Sequence, residues 1–213
     1  MRIKVCGNTS LTQMHQLGDM GVQFAGMIFY HKSPRFVMRF LKGVDVKREK
    51  LKVFKIGVFV NASYSEVMNH VDNFGLDMVQ LHGDETPYYC EKLSNYISVI
   101  KAFRVTGNDN IEWKIKNFYN DSDMFLFDTD GAGYGGTGHK FDWSKLKGLN
   151  INKSFLIGGG ISPHDPPLIK EFMNDAVAKD LFAVDINSKF ETSPGVKDMK
   201  LVQAFINELN ITK

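Results

Sequence analysis

The feature that most narrows what this chain can become is its rhythm. Eight short apolar runs, at residues 3–6, 22–29, 53–60, 76–81, 97–103, 124–128, 154–157 and 181–185, alternate with amphipathic stretches such as 65–73, 86–93 and 198–209. Strands that are apolar throughout are buried on both faces, and amphipathic stretches between them are the crossover helices that parallel strands require. Eight such units closing on themselves predict an α/β protein, a (β/α)8 TIM barrel built as a single domain over residues 1–213. At 213 residues the chain is near the short limit of that fold, so some helices must be short or missing. An open doubly wound sheet is the alternative, but its glycine fingerprint belongs after the first strand, where only Gly7 stands.

The sixth run ends in a carboxylate, Asp128, and the chain then turns too glycine-rich for any regular element to continue. Residues 131–138 hold five glycines in eight positions. That is more than a surface turn needs, and it gives the freedom of a loop that closes over a bound molecule. Phe141, Asp142 and Trp143 dock the chain again, leaving room only for a helical stub near Trp143–Leu146 before the seventh run.

Composition sets the outer bounds. A hydrophobic content of 43% with 23% charged residues supports a sizeable core. The net charge of +2 leaves no electrostatic footprint for nucleic acid, and the basic stretch 42–55 is interrupted often enough to read as a solvated helix face. Two cysteines make no disulfide framework, and MRIKVCG reads as a strand rather than a signal peptide, so a cytoplasmic, reducing setting is expected. No apolar segment is long enough for a membrane span. Nothing in the sequence chooses between a monomer and a homodimer.

In a barrel of this kind the working side chains sit at the carboxyl ends of strands. Alternation along the first run turns Ile3 and Val5 toward the helices and Lys4 and Cys6 inward. In the last run it turns Phe182 and Val184 outward and Asp185 inward. The eighth strand neighbours the first, so Lys4 and Asp185 are expected to meet as an interior ion pair beneath Cys6, either filling the barrel or serving chemistry. Cys6 itself is either a small buried hydrophobe or a reactive thiol. Its place at a strand end, beside Gly7 and two residues after a cation, favours the second and predicts a stabilised thiolate. Cys90, inside a helical pattern, is expected in the core.

Gly158, Gly159 and Gly160 follow the seventh strand and Ser188 follows the eighth, the two places where such barrels hold a phosphate. Gln80 and His82 end the fourth strand. Arg35, in HKSPR after the second, has the fork that would take a ligand carboxylate; a solvated arginine and a structural histidine are the plainer alternatives.

Taken together, these motifs resemble the phosphoribosylanthranilate isomerase family of tryptophan biosynthesis. KVCG at 4–7, GVFVN at 57–61, VQLHGDE at 79–85, FDT with GYGGTGHKFDW at 127–143, IGGGISP at 157–163, and AVDINSKFE with PGVKD at 183–198 follow that family's order along essentially the whole chain. The resemblance implies a cofactor-free isomerase acting on a small phosphosugar by an Amadori rearrangement. In that scheme Asp128 is the general acid at the ribose ring oxygen and Cys6 the general base at C2. Arg35 holds the anthranilate carboxylate, and Gly159, Gly160 and Ser188 hold the phosphate. Opposite tasks need opposite protonation: burial under the glycine loop is expected to keep a proton on Asp128 while Lys4 helps Cys6 lose one.

Two positions depart from the family pattern. Asn8 stands where an aliphatic residue is usual, and Asn187, Ser188 and Lys189 replace the usual Ser-Ser-Gly, so Lys189 is expected near the phosphate. Asp130 competes with Asp128 as the acid only if the strand runs past Thr129. Rival readings are another phosphosugar barrel of the same pathway, which would use lysine with glutamate or paired acids, and a non-catalytic or differently specific phosphosugar-binding barrel.

Overall fold

The structure, a computed structural model, describes residues 1–106, 109–129 and 142–210. Eight parallel strands form a closed barrel in sequence order: β1 (Arg2–Val5), β2 (Phe24–Ile28), β3 (Phe54–Phe59), β4 (Met78–Leu81), β5 (Ser98–Val105), β6 (Met124–Thr129), β7 (Phe155–Ile157) and β8 (Leu181–Ile186). Each falls on one of the eight apolar runs. A two-stranded antiparallel hairpin, β9 (Glu191–Ser193) with β10 (Val196–Lys197), follows the barrel.

The helices are α1 (Leu11–Asp19), α2 (Gly43–Arg48), α3 (Tyr64–Phe74), α4 (Pro87–Ser94), α5 (Ile111–Ile115), α6 (Pro166–Phe172) and α7 (Met199–Asn210). Local chemistry sets their starts. The side chains of Ser10, Ser63, Thr86 and Asn110 each accept a hydrogen bond from a backbone N–H three residues on, and Pro87 opens α4 where its missing N–H costs nothing. Gly75 ends α3 in the left-handed conformation, with φ of 60°. As the chain length requires, α2 and α5 are short, and between β6 and β7 the described residues carry only the 3₁₀ turn Trp143–Leu146. In α2 only Val46 is buried, in keeping with a solvated face. No helix of the described residues is long and apolar enough to cross a membrane.

Two apolar clusters divide the interior. The larger lies between barrel and helices and includes Ile3, Val5, Cys90 and Val184; the smaller plugs the inside of the barrel with Phe24, Ile56, Met78, Ile100, Ala102, Leu126, Leu156 and Ala183. Phe182 departs from the alternation read from sequence. Phe155 pairs with Leu181 but Leu156 with Ala183, so Phe182 is the extra residue of a bulge. Instead of facing outward it packs on the inner cluster, 5.5 Å from the ring of Phe24, with the Arg2 guanidinium 4.5 Å from its centroid. Above this plug the interior turns polar.

Candidate active site

A cavity of about 370 Å³ opens at the carboxyl ends of the strands. Its wall takes Cys6 from the end of β1, Arg35 from the loop after β2, Gln80 and His82 from β4, Asp128 from β6, Gly159 and Gly160 after β7, and Asp185 and Ser188 from β8 and beyond. Nine of the residues singled out in the sequence thus converge on one space. Lys4 lies just beneath, fully buried, and donates to Asp185 Oδ2 at 2.7 Å; the two residues are direct partners across the β1–β8 seam.

That pair is incomplete. Asp185 Oδ1 is buried without a hydrogen-bond partner among the described residues. Burial works against the ammonium of Lys4, but Asp185 and the thiol of Cys6 outweigh it, so Lys4 stays protonated above its ordinary range.

Cys6 is 5% exposed, and burial pushes its thiol up; Lys4 and Lys197 pull the other way but do not overcome it. The cation two residues before Cys6 therefore eases the loss of its proton, as expected, but burial works against the thiolate more strongly. A lysine two residues away was legible in the sequence, whereas the depth of the thiol was not. The seat of Cys6 is cut into β2, where a Cβ at Gly26 would lie 2.9 Å from Sγ.

Asp128 Oδ1 accepts from the N–H of Thr129 at 2.8 Å, and Oδ2 lies 3.1 Å from His82 Nε2. On the far side of the same ring, Gln80 Nε2 lies 2.8 Å from His82 Nδ1. With the amide nitrogen donating, Nδ1 accepts and the ring N–H is the one at Nε2, toward Asp128. His82 is thus both a satisfied histidine and a wall of the cavity. The glycine loop at 131–138, Phe141 and Asp130 lie outside the described residues.

Gly159 and Gly160 have φ of 78° and 71°, and a Cβ at Gly159 would collide with Thr129 Oγ1 and stand 2.9 Å from Asp128 Oδ1. Only glycine fits there, which brings the backbone against the acid. Gly158 is different: its N–H donates to Phe127 O at 2.9 Å within the sheet and it does not line the cavity, so it offers a ligand no donor. Lys189 is exposed and absent from the wall, contrary to its expected place, whereas Asn187 and Ser188 are present. Asn8 is buried, its amide nitrogen bonded to the carbonyls of Val5 and Gly26, while its Oδ1 has no hydrogen-bond partner among the described residues.

Arg35 holds a partner the sequence did not reveal. Its Nε and Nη2 grip the carboxylate of Glu191 on β9, with contacts of 2.6 to 3.0 Å, and Lys197 on β10 donates to the same carboxylate at 2.6 Å. These residues are 156 positions apart, and no local pattern joins them. The expected fork is therefore half engaged. Among the described residues no group of three or more His, Cys, Asp or Glu side chains is placed to hold a metal ion.

Similarity to known proteins follows the same layout. A chain from Parabacteroides distasonis, an N-(5'-phosphoribosyl)anthranilate isomerase, is 37% identical over 211 residues, covering 98% of this chain and 93% of its own length. The solved phosphoribosyl anthranilate isomerase of Thermotoga maritima superposes with a TM-score of 0.82 at 31% identity, covering 98% of both chains. Another solved isomerase of this type, in complex with reduced 1-(o-carboxyphenylamino)-1-deoxyribulose 5-phosphate, gives 0.77 at 28%, again over 98% of each chain. The family model described as N-(5'phosphoribosyl)anthranilate (PRA) isomerase matches residues 3–208, nearly every strand and helix just described. The chain belongs to the N-(5'-phosphoribosyl)anthranilate isomerase family.

Proposed function

We propose that this protein converts N-(5'-phosphoribosyl)anthranilate into 1-(2-carboxyphenylamino)-1-deoxyribulose 5-phosphate, an aldose-to-ketose isomerisation by general acid and base without a cofactor. The observation that carries this reading is the shared cavity: Cys6 and Asp128, 122 positions apart in sequence by subtraction of their numbers, open onto one space with the glycine turn after β7 between their strands. Strand order makes the arrangement continuous, with the acid on β6, the phosphate grip after β7 and β8, the base on β1 and the arginine after β2.

In the reaction, Asp128 gives its proton to the ribose ring oxygen, the C1–O bond breaks, and the nitrogen lone pair forms an iminium ion. Cys6 then takes the C2 proton, the electrons move into the C1–C2 bond, and the resulting enol amine tautomerises to the ketone. Burial favours the resting thiol, so Cys6 first releases its proton to solvent in the cavity that it lines. Lys4 and Lys197 ease that loss, and the iminium charge adds a third cation beside the thiolate. Gly159, Gly160 and Ser188 hold the phosphate, Gln80 and Asp185 face the sugar, His82 orients Asp128, and Lys4 supports Asp185. We propose a cytoplasmic setting, which suits a protein whose two cysteines are both free.

Following the fluorescence of the anthranilate derivative with purified protein and freshly made substrate tests the activity. A rate no faster than spontaneous breakdown would overturn it.

A further inference from the structure

We infer that Glu191 is a positioning residue that sets which edge of the Arg35 guanidinium faces the ligand, making the β9–β10 hairpin the element that selects for a carboxyl group on the substrate's amine. The inference rests on the reading that Arg35 takes that carboxyl group.

A guanidinium has two edges that can grip a carboxylate: a lateral one, from Nε and Nη2, and a terminal one, from Nη1 and Nη2. Glu191 fills the lateral edge of Arg35, accepting from Nε at 2.9 and 3.0 Å and from Nη2 at 2.6 Å. No hydrogen bond from Nη1 is found among the described residues, and Arg35 lines the cavity, so the terminal edge is the one we assign to the ligand. A planar group clamped along one side has its other donors fixed in direction, which removes an ordering cost when a carboxylate arrives.

Glu191 is itself held still. Its Oε1 accepts from Lys197 Nζ at 2.6 Å and from the N–H of Gly195 at 3.1 Å, and its side chain is 3% exposed. Lys197, wholly buried at its side chain, also donates to Asn187 Oδ1 at 2.8 Å. The hairpin is tied to the start of the barrel as well: Thr9 donates to Gly195 O, and Gln13 exchanges hydrogen bonds with the backbone of Lys197. One carboxylate between two cations leaves the cluster one positive charge in excess, and Arg35 is its member on the cavity wall. The stem of Arg35 crosses Gly7, where a Cβ would come within 2.6 Å of Cδ, so the clamp also sets the arginine against the residue next to Cys6.

The test compares two substrates, the phosphoribosyl conjugate of anthranilate and that of aniline, which lacks the carboxyl group. Glu191→Gln should lower the ratio of their kcat/KM values about tenfold, roughly the weight of one well-placed charged hydrogen bond. The loss should fall on KM for the anthranilate conjugate rather than on kcat. In an Arg35→Met background the same change should leave the ratio where Arg35→Met alone puts it. A ratio unmoved by Glu191→Gln, or moved equally with and without Arg35, overturns the inference. If Arg35→Met itself leaves the ratio intact, the carboxylate reading of Arg35 fails and the inference falls with it, while wild-type turnover separately vouches for the isomerase. Should Glu191→Gln not fold, Glu191→Asp keeps the charge beside Lys197 but withdraws the carboxylate by one methylene. A fall in the ratio supports the inference and no change refutes it.

Discussion

Among the buried lysine–carboxylate pairs of the described residues, the two whose lysine stands on a barrel strand are finished in opposite ways. Lys101 on β5 meets Glu85 of the β4–α4 loop at 2.8 Å, and each is further satisfied: the ammonium donates to Gly83 O and Leu81 O, and the carboxylate accepts from the N–H groups of Asn61 and Gly83. Lys4 meets Asp185 at 2.7 Å, yet Asp185 Oδ1 is left without a partner at the cavity floor. A saturated network rigidifies a loop; an unsaturated one in a cavity is an incomplete structure that a ligand can complete. The difference separates the scaffold side of the barrel mouth from its chemical side.

The sharpest way to break that contrast is at the residues on either side of the unsaturated pair. Cys6→Ser and Asp128→Asn should each lower kcat by about 10²- to 10⁴-fold, the usual worth of a positioned acid or base, with KM and the thermal midpoint little changed. Near-normal turnover in either variant removes that residue from the mechanism.

Lys101→Met makes the opposite demand. It leaves the buried side chain of Glu85 without its cation, which should cost about 3–5 kcal/mol, read as a lower urea midpoint, while the folded fraction turns over near the wild-type rate. A large loss of turnover with unchanged stability would place Lys101 on the chemical side and erase the distinction.

The Lys4→Met, Asp185→Leu double variant sharpens it further. Exchanging a whole buried pair for apolar groups is often neutral or stabilising by about 1–4 kcal/mol, so the protein should fold at least as well as the wild type. Turnover should nevertheless be lost, because a ligand-facing carboxylate and the cation beside Cys6 disappear together. Full activity in this folded variant would reduce the pair to filler.

The parts of this contrast that sequence made visible are those governed by local periodicity. Period-two alternation put Lys4, Cys6 and Asp185 on the inside, and cyclic strand order brought the last strand to the first, so their meeting followed without coordinates. What stayed hidden depends on depth or on distant partners. Phe182 turned inward because one residue bulges between β7 and β8. Gly158 follows the seventh strand as expected but spends its N–H on β6. Glu191 and Lys197 stood within a quoted motif, yet only folding shows that they clamp an arginine from the other end of the chain.

The two cysteines repeat the comparison on a smaller scale and yield the gentlest test. Cys90 packs in the outer core with its thiol pushed up to about 12, mainly by burial, and should resist iodoacetamide in the folded protein. Cys6 is also raised by burial, but it lines the cavity, where a small reagent can reach it. Alkylation proceeds through the thiolate, and below the folded-state value the thiolate fraction grows with pH. Because burial raises that value above the ordinary one, the rate at Cys6 should still be rising with pH from 7 through 9, as measured by mass spectrometry of the modified peptide. A rate already flat across this window would mean a thiolate formed at rest. Lys4 would then outweigh burial, and the cation beneath Cys6 would act before substrate arrives rather than with it.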